Sequence, residues 1–155
     1  MKELDDYRKQ LIDKLVASAE TFRAACLAVQ DPFAPLQPDD WNVHQLATHT
    51  RDVNQLVYGL RARRTIEEDN PEFSNFDGNE YMREHYAAHE PLSEILDGFV
   101  TSTQALADLL RALPAEAWSR VSRHEKLGNG LTLQLWVERS LAHIEEHLET
   151  VRKLQ

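Results

Sequence analysis

Two histidines stand four residues apart near the end of the chain, within an otherwise apolar helical pattern. His143 and His147 share one face of a helix, because residues i and i+4 are neighbours on its surface. Two imidazoles placed in this way can bind one divalent metal ion. The spacing therefore raises the question of a third ligand elsewhere in the chain.

His49 is the candidate third ligand, because it interrupts the aliphatic seam of another helical stretch. The other members of that seam are Leu46, Val53, Leu56 and Leu60. A buried imidazole without a partner is costly, and one metal ion would satisfy all three rings. We therefore predict a metal site formed by His49, His143 and His147, and no residue stands out as the catalytic base.

Four amphipathic stretches of similar length must position these side chains, and they predict an all-α four-helix bundle in a single domain over residues 1–155. The first predicted helix runs from about Glu3 to Val29. The second follows a cap at Asp39 or Asp40, the third runs from about Pro91 to Leu113, and the fourth follows a cap at Thr132.

The depths of the three histidines in these helices select a topology. His49 lies about 10 Å from the start of the second helix, and His143 and His147 lie about 9 to 15 Å from the end of the fourth. These depths match only if the two helices run antiparallel, which requires an up-down-down-up order. That order needs a long crossover between helices 2 and 3, and the irregular stretch 66–90 supplies one, with a short helix possible over Asn79 to His89.

Composition excludes several classes of function. The net charge of -9 disfavours binding to nucleic acid or to an anionic membrane surface. There is no apolar signal core at the N-terminus and no uncharged apolar run of spanning length, so we expect a cytoplasmic protein. Cys26, the only cysteine, continues the apolar stripe of the first helix and is expected to be a packed core thiol.

The remaining histidines and a basic cluster have simpler interpretations. His85 and His89 repeat the i, i+4 spacing, but their polar surroundings favour a solvated turn in the crossover, and His44 and His124 are expected to be exposed. The cluster of Arg61, Arg63 and Arg64 suits a solvated helix end.

One further motif stays open as an alternative. Residues 143–147 match the inverted zinc-peptidase pattern H-x-x-E-H, although a chain this short leaves little room for a peptidase cleft. Glu145 and Glu146 are otherwise a solvated face beside the ligands, where one of them could act as a base or contact a ligand.

The order of three short motifs resembles a known family. Trp41-Asn42-Val43-His44-Gln45-Leu46-Ala47-Thr48-His49, then Leu131-Thr132-Leu133, then His143-x-x-x-His147-Leu148 resemble the DinB-like superfamily of metalloenzymes, over nearly the whole chain. The resemblance implies an up-down-down-up bundle, often dimeric, with the three histidines as metal ligands. It also implies zinc or nickel as the usual metal, with iron or manganese as alternatives.

Two functional hypotheses follow from the triad and the resemblance. In the first, the metal activates water, as in a hydrolase, or a low-molecular-weight thiol, as in an S-transferase, and the partner is a small-molecule substrate. In the second, the chain is a non-catalytic, dimeric metal- or ligand-binding protein associated with stress. A metal-free interaction bundle is a third alternative, and a homodimer is expected in the first two.

Overall fold

Four long helical segments form the body of the protein, which is described by a computed structural model covering residues 2–38 and 40–154. They are α1 (Lys2–Leu27), a continuous segment made of α2 (Val43–Val53), a π-helical stretch (Asn54–Gly59) and α3 (Leu60–Glu67), then α5 (Leu92–Arg111) and α6 (Leu133–Arg152). Between α3 and α5 lies the short helix α4 (Gly78–His85). No helix within the described residues is both long enough and apolar enough to cross a membrane.

The core lies between the apolar faces of the four long segments. α1 packs against α5 and α6, and α2 packs against α5. Leu15, Phe22 and Phe99 are completely buried, and the Phe22 and Phe99 rings meet edge to face with centroids 5.6 Å apart. Cys26 is also completely buried in this core, and burial raises the pKa of its thiol to about 12, which confirms the interpretation of a packed thiol.

The cap of α2 differs from the prediction. Asn42 is the capping residue: its side chain accepts a hydrogen bond from the backbone N–H of Gln45, and the Gln45 side chain accepts one from the backbone N–H of Asn42. Asp40 instead accepts a hydrogen bond from the backbone N–H of Trp41. Asp39 lies outside the described residues.

The π-helical stretch changes which residues of the second helix face inward. An extra residue in one turn rotates every later side chain by about 100° around the axis. Leu56 and Leu60, predicted on the buried seam, are 40% and 46% exposed, whereas Val57 and Arg61 are buried in their place. Gly59 permits this turn, because a Cβ at that position would lie 2.5 Å from the backbone oxygen of Asn54.

A small sheet corrects the all-α prediction. Strands β1 (Glu72–Phe73), β2 (Val121–His124) and β3 (Gly128–Thr132) lie in that order, with β1 parallel to β2 and β2 antiparallel to β3. The strands escaped prediction because they are very short and the β2–β3 hairpin contains glycines at positive φ, Gly128 at 100° and Gly130 at 71°. The sheet joins the crossover to the segment that precedes α6.

The two later long helices follow the predicted bounds closely. Pro91 takes the capping position of α5, and Thr132 caps α6 by accepting a hydrogen bond from the backbone N–H of Leu135 at 3.2 Å. The inward face of α6 contains the predicted residues Leu133, Trp136, Val137, Leu141, Ile144, Leu148 and Val151, all of them buried. The predicted crossover helix is also present, as α4, but it ends at His85.

Candidate metal centre

The rings of His49, His143 and His147 meet between α2 and α6. The Nε2 atom of His143 lies 3.3 Å from that of His49 and 2.9 Å from that of His147. One ring nitrogen from each residue lies within 4.8 Å of the others. The three predicted ligands are therefore brought together by two separate helices, and each ring is half-buried.

Burial keeps these imidazoles neutral. It lowers the pKa of His143 to about 3 and the pKa values of His49 and His147 to about 4. Mutual repulsion adds to this effect at His49 and His143, whereas the negative charge of Glu146 opposes it at His49. Neutral imidazole is the form that binds metal, so protons do not compete for these rings near pH 7.

Asn54 orients the central ring of the triad. Its amide oxygen lies 3.2 Å from Nδ1 of His143, and its amide nitrogen donates to the hydroxyl of Ser140 at 3.4 Å. An amide oxygen can only accept, so His143 carries its proton on Nδ1 and presents the lone pair of Nε2 to the other two histidines. Asn54 is the first residue of the π-helical stretch and is buried beside α6.

The helix α4, in the crossover, packs closely against His49. A Cβ at Gly78, the first residue of α4, would lie 3.0 Å from Cε1 of His49, which is closer than carbon atoms normally approach. On another side the Trp41 ring lies against the same imidazole, with centroids 4.8 Å apart. A side chain at position 78 would therefore force His49 to shift by a few tenths of an ångström.

The donor set fits a divalent metal ion. Three imidazole nitrogens suit zinc, nickel, copper or iron, and zinc sites with three protein ligands keep a coordination position open. A cleft of about 330 Å³ adjoins the triad, and it is lined in part by His49 and His143. The arrangement can therefore hold a metal ion and present it to a small molecule.

Comparison with known proteins agrees with this geometry. The model of the DinB superfamily matches residues 3–151. The chain belongs to the DinB superfamily. Comparison with curated protein sequences gave no match.

A solved structure shares the DinB fold seen here. YfiT from Bacillus subtilis, described as "a probable metal-dependent hydrolase with an unusual four-helix bundle topology", superposes with a TM-score of 0.85. The alignment has 19% sequence identity and covers 95% of this chain and 85% of YfiT. At this identity the likeness shows the fold, and it confirms the predicted four-helix bundle.

Two histidines that were expected to be exposed are buried in this DinB chain. His44 is 1% exposed, with Nδ1 at 2.6 Å from the Tyr86 hydroxyl and Nε2 at 2.7 Å from the backbone oxygen of Glu90. His124 is 5% exposed, and its Nδ1 accepts hydrogen bonds from the backbone N–H groups that follow it in the β2–β3 turn. Neither residue joins the triad.

The prediction for the second i, i+4 histidine pair is confirmed, whereas the prediction for the basic cluster is wrong at Arg61. His85 and His89 are exposed, as predicted, and stay apart from the triad. Arg61, predicted as part of a solvated helix end, is 8% exposed, because the helix continues to Glu67 and the π-helical stretch turns this residue inward. Sequence analysis therefore missed Asn54, Arg61 and His124 as residues of the site. For the first two, the glycine at position 59 was the only signal of the irregularity.

Proposed function

We propose that this DinB chain is a divalent-metal-dependent hydrolase whose metal is held by His49, His143 and His147. The observation that carries this proposal is the meeting of three neutral imidazole nitrogens beside an open cleft. Membership of the DinB superfamily and the similarity in fold to YfiT support it. Three neutral ligands are typical of catalytic sites, since structural zinc sites use four protein ligands.

A metal ion bound here would supply a Lewis acid that lowers the pKa of a coordinated water and polarises a substrate carbonyl. The protein's own part is to hold the ligands and to move protons. Asn54 keeps Nε2 of His143 free of a proton, as described above. Glu146 is the exposed carboxylate whose charge acts on His49, so it is the candidate to accept a proton from an attacking water.

Zinc and nickel are the metals we propose first, with iron and manganese as alternatives. Imidazole is a borderline ligand that suits zinc, nickel and iron, whereas manganese usually takes more oxygen ligands. Cys26, the only cysteine, is buried in the bundle core and lies outside the cluster of candidate ligands. The protein therefore offers no thiol of its own at the site, and an S-transferase reaction would use a thiol bound from solution.

The order of the helices belongs to the same proposal. We propose that the long segments follow one another up-down-down-up, with the stretch 68–91 as the crossover. The meeting of His49, near the start of the second segment, with His143 and His147 in the second half of α6 supports an antiparallel arrangement of these two helices.

The proposed function is tested by metal-dependent turnover. The protein is freed of metal with a chelator, reloaded with one metal at a time, and assayed against a panel of carboxylic esters and amides with and without a low-molecular-weight thiol. We expect hydrolysis that requires metal and is lost in His49→Ala. Products that contain the added thiol would assign transfer instead, and turnover that is unchanged by chelation would refute a metal-dependent mechanism.

A further inference from the structure

Arg61 is a buried cation that has no carboxylate partner among the described residues. Its side chain lines the cleft beside the triad and is only 8% exposed. Burial lowers the pKa of Arg61, Tyr58 opposes this shift, and the positive charge of Arg139 adds to it. A buried guanidinium normally forms an ion pair with a carboxylate. One that lacks this partner and lines a cleft points to a negatively charged ligand in that cleft.

The contacts of Arg61 leave most of its hydrogen-bonding edge unused. One N–H donates to the backbone oxygen of Ser74 at 3.1 Å, and Cζ of the guanidinium lies 4.8 Å from the Trp136 ring centroid and 5.8 Å from that of Phe73. A guanidinium has five N–H donors, and the Ser74 carbonyl takes one of them. No fully buried side-chain nitrogen among the described residues lacks a partner, so the free edge is open to the cleft.

His124 adds a second donor to the same cleft. Its Nδ1 accepts from the backbone N–H groups of Lys126 at 3.0 Å and Leu127 at 3.1 Å, so the ring of this neutral histidine carries its proton on Nε2. Arg61 and His124 line the same cleft. Burial lowers the pKa of His124 and the charge of Arg61 lowers it further, whereas the charge of Glu125 opposes this shift. Asn75 and Tyr58, also in the cleft wall, offer an amide and a hydroxyl.

Among the described residues, no aspartate or glutamate lines the cleft, although the chain carries 26 of them. Its remaining surface is apolar and is formed by Val53, Val57, Phe76 and Leu127. The wall therefore combines one cation and several neutral donors with apolar side chains. This combination suits an organic anion better than a neutral or cationic molecule.

We infer that the cleft binds a small carboxylate-bearing substrate, with Arg61 as the residue that recognises the carboxylate and His124 as a supporting donor. The apolar side chains contact the body of the substrate, and its reacting group faces the histidine end of the cleft. This inference rests on the proposed function for the identity of the reacting end. It adds that the substrates are anionic, which the triad alone does not indicate.

The experiment uses benzoate as the probe and benzamide as its neutral control of the same shape. Dissociation constants are measured by calorimetry or NMR titration on the zinc-loaded and the metal-free protein. We expect benzoate to bind at least about tenfold more tightly than benzamide in both forms, because charge-assisted hydrogen bonds are the stronger ones. Equal binding of the two probes would overturn the inference.

Variants identify the residue responsible. Arg61→Gln should weaken benzoate binding by about ten- to a hundredfold and leave benzamide nearly unchanged. Arg63→Gln is the matched control, because this arginine lies two residues along the same helix and lines a different cleft. Benzoate binding that survives Arg61→Gln in a folded protein would refute the assignment.

Two further measurements keep the test decisive. If Arg61→Gln fails to fold, Arg61→Lys keeps the charge without the planar fork and should bind benzoate with intermediate strength. Benzoate binding that appears only in the zinc-loaded protein and ignores Arg61 would overturn the inference and leave the metal site intact. Selective benzoate binding in a protein that takes up no metal would refute the proposed function and leave the anion site standing.

Discussion

Replacing Asn54 by alanine should weaken metal binding without touching a ligand. The amide oxygen of Asn54 is the hydrogen-bond acceptor, at 3.2 Å, that fixes the proton of His143 on Nδ1. Without it the ring can rotate or carry its proton on Nε2, where the metal must bind. Loss of such a supporting hydrogen bond typically costs about 10- to 100-fold in affinity, or about 1.4 to 2.7 kcal/mol.

The assay is competition for zinc against a chromogenic chelator at pH 7, with the unfolding of the metal-free variant measured separately. Asn54→Asp is the informative companion, because it keeps an oxygen at the same place and the Ser140 hydroxyl can turn to donate to it. It should retain wild-type affinity or exceed it. Gln55→Ala, next along the helix and exposed, is the control that should change nothing.

Two outcomes would refute this reasoning. One is an Asn54→Ala protein that is folded and binds zinc within about twofold of the wild type, well below the expected loss. The other is an Asn54→Asp protein that binds as poorly as the alanine variant, since the acceptor oxygen would then have no role. Either result would leave the histidine triad in place and remove the role assigned to Asn54.

Three other perturbations test the surroundings of the triad. Gly78→Ala should displace His49, because the new Cβ would lie 3.0 Å from Cε1, and the zinc competition assay should show weaker binding while Gly98→Ala does not. Gly59→Ala should lower the free energy of unfolding by about 1 to 3 kcal/mol in urea titrations, because its Cβ would lie 2.5 Å from a backbone oxygen. Metal-free protein should lose stability as the pH falls from about 6.5, where the histidines of the unfolded chain take up protons, towards the folded pKa values of about 4 and 3. Melting curves in chelator should show this loss, at most about 1.4 kcal/mol per pH unit for each histidine, and a smaller loss in His147→Leu. A melting curve that does not change between pH 7 and pH 5 would contradict the burial of neutral imidazoles.

The metal triad could be predicted from the sequence because helical periodicity carries over to the folded state. His143 and His147 lie on one face of α6 whatever the rest of the chain does, and His49 lies only a short distance beyond the start of α2. His49 precedes the π-helical stretch, and α6 is a regular α-helix throughout. Their side chains therefore point where the 3.6-residue period places them.

The residues beyond Val53 could not be placed in this way. A regular helix predicts Leu56 and Leu60 inside, and the leucine-rich pattern agrees with it. The π-helical stretch depends on Gly59, because a Cβ there would lie 2.5 Å from the backbone oxygen of Asn54. Its extra residue turns Arg61 inward, where the side chain is 8% exposed. The 3.6-residue hydrophobic period of a helix does not reveal a single inserted residue. Arg61 was therefore predicted to lie at a solvated helix end.

His124 was missed for a related reason. Its burial depends on the pairing of β2 with β1, where Phe73 and His124 are partners, and these strands lie far apart in sequence. A strand of two residues has no periodicity to detect. Long-range pairing of this kind is visible only in the folded chain.

The most direct test of the metal site is its stoichiometry. Protein purified without a histidine tag or added metal is analysed for metal content, together with His49→Ala, His143→Ala and His147→Ala, and with His85→Ala and His89→Ala as controls of the same type. We expect about one metal ion per chain, lost in each triad variant and kept in both controls. No metal after reconstitution, or unchanged content in His49→Ala, would contradict the site.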